Sequence, residues 1–176
     1  MTGSSRGIGR AIVEQLSRDG YSVVVNYASS EKAASELVEQ LQVAGGQGIA
    51  VQANVASATD RTRLIQAAYD RWGRLDLLVN NAGITSVGRN DVLDATEESW
   101  DLVFETNLKG PFFLSQLAAK QMLQQIESED LQQGQIINIS SISAFAGSIN
   151  RADYCIAKAG MKMMTELFAA RLADHR

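Results

Sequence analysis

Two hydrophobic periods alternate along this chain, and that alternation constrains its fold more than any other feature. Runs of consecutive β-branched or apolar residues stand at Tyr21–Asn26 (YSVVVN), Ile49–Ala53, Leu75–Asn80 and Gln135–Ser140. A run that is apolar on neighbouring positions suits a strand buried on both faces, as in a parallel sheet. Longer segments with helical spacing lie between the runs. Gly9–Arg18 puts Ile12, Val13 and Leu16 on one side, Ser30–Ala44 groups Ala34, Leu37, Val38 and Leu41, and Ala58–Trp72 groups Leu64, Ile65, Ala68 and Trp72. Trp100–Ile126, with Pro111 inside it, and Asn150–Asp174 read as two further helices. Strands alternating with helices imply crossover connections and a parallel sheet covered on both faces, a doubly wound α/β architecture. With 176 residues, a single domain over residues 1–176 is expected.

The segment Met1-Thr2-Gly3-Ser4-Ser5-Arg6-Gly7-Ile8-Gly9 precedes the first helical pattern. Glycines permit a tight turn and a close approach of backbone to a pyrophosphate, and the following helix aims its free amides and positive dipole end at the phosphate. The spacing is Gly-x-x-x-Gly-x-Gly. With a helix and a buried strand after it, the turn points to a Rossmann-like dinucleotide site. Such a turn normally follows a strand, and the glycines begin at Gly3. The sheet is therefore expected to lack its first strand, and its C-terminal strands as well, because the chain reaches Arg176 in or just after a helix. The reading is of a chain cut short at both ends, as a fragment or a mis-started gene product.

Choice of nucleotide is read at the end of the second strand. An NAD site carries an acid there, about 20 residues after the glycines, to bond the ribose 2′-hydroxyl. Here the positions hold Asn26, Tyr27, Ala28, Ser29 and Ser30, with no acid before Glu31. No carboxylate repels a 2′-phosphate, and Arg6 brings a guanidinium whose fork suits phosphate. NADP, as NADPH, is favoured over NAD. The opposing reading of Arg6 is a solvated loop charge.

Tyr154 and Lys158, four apart on a helical pattern, share a face. Ser141 follows a strand pattern, where a doubly wound sheet presents its ligands. Reduction of a ketone by hydride leaves an alkoxide that needs a proton. A tyrosine hydroxyl can give it, but a free phenol's pKa of about 10 is high for such work, and a nearby ammonium favours the phenolate. Ser141 can hold the substrate oxygen. On spacing alone a Tyr-x-x-x-Lys pair is more often an ordinary helix face.

Together these residues resemble the short-chain dehydrogenase/reductase family. Thr2-Gly3-Ser4-Ser5-Arg6-Gly7-Ile8-Gly9 is similar to its TGxxxGxG turn and Asn80-Asn81-Ala82-Gly83 to its NNAG motif. Asn107 matches the family's helix asparagine, and Ser141, Tyr154 and Lys158 match its serine and YxxxK pair, with twelve residues between Ser141 and Tyr154. The resemblance implies an enzyme in which Tyr154 is the general acid in reduction and the base in oxidation. Lys158 bonds the nicotinamide ribose and assists Tyr154, Ser141 orients the carbonyl, and Asn107 holds a water that relays protons to Lys158. It implies cofactor contacts from Gly3, Ser5, Arg6, Gly7, Ile8 and Gly9, from Asn26, Tyr27, Ala28 and Ser29, from Asn54 and Val55 at the adenine, and from Asn81, Ala82 and Gly83. The surrounding text looks most like 3-oxoacyl-[acyl carrier protein] reductases, so the implied substrate is a 3-oxoacyl thioester or a small-molecule ketone. The long helices imply a homo-oligomer, a dimer or tetramer.

Other classes are disfavoured. A formal net charge of −4 and no basic stripe argue against nucleic acid. No apolar run approaches a membrane span, and no secretory leader is evident. One cysteine, Cys155, permits no internal disulfide and fits a reducing, cytoplasmic setting; it reads as a small apolar residue. With one histidine, His175 near the C-terminus, neither a zinc site nor histidine-based catalysis has support. Asn80 reads as a structural residue at a strand end. The competing hypothesis is a non-catalytic or non-functional fragment of such an enzyme that keeps at most dinucleotide binding.

Overall fold

Three consecutive valines set the layers. Val23, Val24 and Val25 begin β1 (Val23–Tyr27), every residue of which is buried. Successive strand side chains point to opposite faces. Val24 therefore joins one core with Leu64, Ala68, Leu78, Leu114 and Ala118, while Val23, Val25 and Tyr27 join a second with Val13, Ala34 and Leu37. The first core lies under α3 (Ala58–Trp72) and α5 (Gly110–Glu127), the second under α1 (Gly7–Arg18) and α2 (Glu31–Val43). Helices on both faces of parallel strands are the doubly wound arrangement expected from the sequence. The remaining elements are β2 (Gly48–Gln52), β3 (Leu77–Asn80), α4 (Glu97–Phe104), β4 (Gln135–Asn138) and α6 (Ala152–Leu172). This computed structural model describes residues 1–175.

The described strands form two parallel pairs, β1 with β2 (Val23 opposite Gly48) and β3 with β4 (Leu77 opposite Gln135). Residues 1–4 stitch the pairs together at their carboxyl ends. The Met1 amine donates to the Val24 carbonyl at 3.1 Å, Thr2 N–H to Val79 at 3.0 Å and Ser4 N–H to Asn26 at 2.9 Å. Farther from the carboxyl ends, the inner edges of β1 and β3 flank a cavity lined by Val23, Val24, Leu75, Leu77 and Leu78.

Two expectations are corrected. Neither β2 nor β4 is buried on both faces: Ala50 is exposed and Ile137 is 45% exposed, since each strand pairs with one neighbour alone among the described residues. Nor is 100–126 one regular helix. Thr96 caps α4, its hydroxyl accepting from Ser99 N–H at 3.3 Å, and a π-helical turn (Glu105–Lys109) separates α4 from α5. Pro111 lacks the N–H that an α-helix would give to the carbonyl four residues back, and the wider turn absorbs that mismatch. By contrast α3 keeps its expected bounds. Ser57 accepts from Asp60 N–H at its start, and Gly73, with φ +70°, closes its end.

Gln125 joins α5 to the strand layer. Its side chain is 2% exposed and brackets Leu75, accepting from its N–H at 2.8 Å and donating to its carbonyl at 2.9 Å. Gln125→Ala strands both backbone groups and should cost about 2 kcal/mol. Urea unfolding reads this as a lower midpoint at unchanged slope.

Candidate active site

The glycine turn is built against the strand ends. Gly3 and Gly7 both have φ +59°, a conformation that favours glycine. A Cβ on Gly9 would sit 2.5 Å from the Gly3 carbonyl oxygen and 2.6 Å from Asn81 Nδ2, so only glycine lets the loop close on the first turn of α1. The Thr2 hydroxyl oxygen accepts from Asn81 N–H at 2.9 Å and Ala82 N–H at 3.0 Å. Asn81 Nδ2 returns hydrogen bonds to the Thr2 and Gly3 carbonyls at 3.0 and 2.9 Å.

Four separated segments line one cavity of about 360 Å³. Gly3, Ser5, Arg6, Ile8 and Gly9 come from the turn, and Asn26, Tyr27, Ala28 and Ser29 from the end of β1. Asn54 and Val55 follow β2, and Asn81, Ala82 and Gly83 follow β3. Gly7 is in the turn but does not line the cavity. Ser30, named with the residues at the end of β1, lines it too, and Ala53, Ile84 and Thr106 line it without having been anticipated. Thr106 could have been found from its place beside Asn107. Asn26 contributes differently from what the sequence suggests. It is 2% exposed, its Oδ1 accepts from Gly3 N–H at 3.0 Å, and its Nδ2 donates to the Ala53 carbonyl at 2.9 Å. The amide is spent on the protein and holds the floor of the cavity.

The rim is electropositive where a phosphate would lie. Arg6 is exposed and makes no side-chain hydrogen bond or ion pair among the described residues. The first turn of α1 carries no acid, so its free N–H groups and dipole end meet no internal anion. The residues present fit a dinucleotide: amides and Arg6 for phosphates, polar side chains at the strand ends, and a backbone stripped of side chains at Gly3 and Gly9.

The second group of residues stands at the same carboxyl ends. Asn107 is fully buried in the π-helical turn. Its Oδ1 accepts from Ile84 N–H at 2.8 Å and its Nδ2 donates to the Ile84 carbonyl at 2.7 Å, anchoring that turn beside the cavity. Its side chain is thus spent on Ile84, and Pro111, four residues on, has no N–H to offer its carbonyl. Lys158 is 4% exposed, and its Nζ donates to the Ile139 carbonyl at 2.8 Å, just beyond β4. That Nζ lies 5.8 Å from the centre of the Tyr154 ring, with the Arg151 guanidinium at 5.9 Å. Ser141 leads into a short 3₁₀ turn, its hydroxyl accepting from Ser143 N–H at 3.1 Å. Asn80 is 1% exposed and bonds Ser115 and Asn138, which makes it part of the sheet and not of the cavity.

Burial lowers the Lys158 pKa, and its hydrogen-bond acceptors are a carbonyl and the Met161 sulfur, not a carboxylate. Asp153, beside Tyr154, is a buried carboxylate that motif spacing does not single out. Its hydrogen bonds to Ser86 and Ser99 join residues 67 and 54 positions away.

The fold and this site define a dinucleotide-binding α/β oxidoreductase. The chain belongs to the short-chain dehydrogenase family, whose model, described as short chain dehydrogenase, matches residues 1–176. It is similar to the 3-oxoacyl-[acyl-carrier-protein] reductase FabG of Staphylococcus aureus (strain Mu50), with 43% identity over 174 residues that cover 99% of this chain and 68% of that protein. The 3-oxoacyl-[acyl-carrier-protein] reductase of a Synechocystis species is 42% identical over 99% of this chain and 67% of its own length. Among solved structures, a 3-oxoacyl-[acyl-carrier protein] reductase from Brucella melitensis in complex with NAD superposes with a TM-score of 0.89 at 33% identity, over 98% of this chain and 66% of that one. A metagenomic short-chain oxidoreductase in complex with NADP gives 0.89 at 28% identity, over 99% of this chain and 75% of that one. The chain spans about two thirds of the length of most of these relatives. No described helix is long and apolar enough to cross a membrane.

The lysine gives a pH prediction. Its folded pKa lies below the unfolded value of about 10.4, so between the two the unfolded chain binds more protons and stability rises with pH. Wild type should therefore gain stability relative to Lys158→Met as pH is raised toward that value. Paired denaturant melts across the alkaline range check it, and a constant difference would refute it.

Proposed function

We propose that the chain forms the cofactor pocket and hydride-transfer site of an NADP-dependent carbonyl reductase, acting on a 3-oxoacyl thioester or a related ketone. The observation that carries this reading is the meeting of four separated segments on one cavity at the strand ends where Tyr154 and Lys158 also stand. Bound NADPH supplies the hydride. The turn amides and the N-terminus of α1 receive the pyrophosphate, and Arg6, with Ser29 and Ser30, receives the 2′-phosphate. Asn54 and Val55 flank the adenine, and Asn81, Ala82 and Gly83 the adenosine side.

Tyr154 Oη gives its proton to the carbonyl oxygen as that oxygen becomes an alkoxide, and takes it back in the reverse direction. The Ser141 hydroxyl donates a hydrogen bond to the same oxygen. The Lys158 ammonium bonds the nicotinamide ribose and steadies the phenolate, and a water on the Asn107 carbonyl returns the proton to Lys158. Beside Ser141, Ile142, Phe145 and Ile149 are 75%, 73% and 73% exposed, an apolar surface suited to an acyl chain. The protein works in the cytoplasm as a homo-oligomer, with neither nucleic acid nor membrane as partner.

The protein should oxidise NADPH, and NADH less well, with a β-keto ester or an acetoacetyl thioester. Bound cofactor without turnover of any carbonyl would refute the assignment. Tyr154→Phe should lower kcat by about a hundredfold or more while nucleotide affinity stays nearly intact. Arg6→Ala should weaken NADPH about tenfold and spare NADH, as expected for loss of a hydrogen-bonded charge; equal weakening of both would remove the 2′-phosphate role.

A further inference from the structure

The Asp153 carboxylate is 3% exposed at the second residue of α6, immediately before Tyr154. One oxygen accepts from the Ser86 hydroxyl and from the main-chain N–H of Tyr154, the latter at 2.7 Å. The other accepts from the Ser99 hydroxyl at 2.5 Å, and the Ser99 oxygen in turn accepts from Val87 N–H at 2.9 Å. Ser86 and Ser99 are themselves 6% and 4% exposed. They stand at the two feet of the segment that leaves Gly83, passes through Gly88 and Arg89 at φ +71° and +52°, and enters α4. Between the feet the segment is open to solvent, with Leu93 90% exposed. A single buried anion thus fastens both ends of an otherwise exposed loop to the residue that carries the phenol.

Burial works against the charged form of Asp153. The hydrogen bonds from Ser86, Ser99 and Tyr154 outweigh it and hold the carboxyl below the usual range. The N-terminal end of α6 adds a favourable dipole. The anion is stable where it is, and each donor gains a charged acceptor, a stronger bond than a neutral one.

Resting on the oxidoreductase reading above, we propose that Asp153 is a positioning residue: by clamping Ser86 and Ser99 to the main chain of Tyr154, it fixes the phenol and the 84–98 loop as one unit around the carbonyl substrate. Asp153 touches neither substrate nor cofactor and acts through Tyr154. Misplacement of a reacting group by about 1 Å can cost as much as a hundredfold in rate. Loss of the clamp should therefore appear in turnover and in KM for the carbonyl, while the nucleotide cavity, built from other segments, is spared.

The test compares wild type with Asp153→Ala, Asp153→Asn and Ser99→Ala, using NADPH titration for sites and affinity and an acetoacetyl thioester for turnover. Asp153→Ala should bind one NADPH per chain within about twofold of wild-type affinity, yet show kcat per binding site lowered about tenfold and a raised KM for the thioester. Asp153→Asn should recover most of the loss, since its oxygen still accepts from Ser86 and Tyr154 and its NH₂ can donate to Ser99. Ser99→Ala, which keeps two of the bonds and guards against an alanine variant that does not fold, should show a loss of about threefold and faster hydrogen exchange over residues 84–99. Unchanged kcat per nucleotide site in both alanine variants, or an asparagine variant no better than the alanine, would overturn the positioning role. Wild type that binds NADPH and reduces no carbonyl would instead sink the oxidoreductase reading, and this inference with it.

Discussion

A knot of hydrogen bonds at the strand ends sustains the rest of the structure. Thr2, Asn26 and Asn81 come from three separate segments, and each uses its side chain to satisfy the backbone of another. The glycine turn has no side chains of its own at Gly3, Gly7 and Gly9 with which to hold its shape. Its conformation is imposed from outside, by Asn26 receiving the amide of Gly3, by Asn81 donating to the Thr2 and Gly3 carbonyls, and by the amides of Asn81 and Ala82 on the Thr2 hydroxyl. The same bonds join the two strand pairs, so the phosphate-facing turn and the continuity of the sheet depend on one set of groups. Buried amides that knit segments in this way lose much if half satisfied, because each orphaned donor or acceptor then carries its full desolvation cost.

The second half of the site is organised by a defect in a helix. Between α4 and α5 the coil widens, Pro111 withholds an N–H, and Asn107 turns its amide onto Ile84. A π-helical turn costs regularity and often marks a functional position. Here the turn packs against α6 and, through Asn107, holds the cavity wall at Ile84. Lys158 is anchored there through Ile139, whose own N–H bonds Asn80 at 2.9 Å. A continuous path of hydrogen bonds and neighbouring residues therefore runs from the glycine turn to the Tyr154 helix.

Much of this was legible in residue order. Consecutive apolar runs placed the strands and 3.6-residue spacing the helices, because burial on two faces or one stripe leaves a local imprint that no long-range information is needed to read. α3 was readable to its ends, since Ser57 and Gly73 are local caps. The cavity lining was readable from the residues at the turn and the end of β1, and through the family resemblance after β2 and β3. Ala53, Ile84 and Thr106 were not, as their types carry no signal apart from place. Nor did sequence show that the Asn26 amide is spent inward: an asparagine at a strand end looks the same whether it faces a ligand or a neighbouring carbonyl.

By itself the sequence determined the layer order, the glycine turn, the lack of an acid before Glu31 and the Tyr154–Lys158 spacing, all of which are properties of neighbours along the chain. Tertiary structure alone decided the half-exposure of β4, the inward use of the Asn26 amide, the widened turn at Asn107 and the convergence of Ser86 and Ser99 on Asp153. The reason is physical: a hydrogen bond between groups 54 or 67 residues apart depends on how helices and strands pack, and two serines and an aspartate leave no periodic trace in the order of residues.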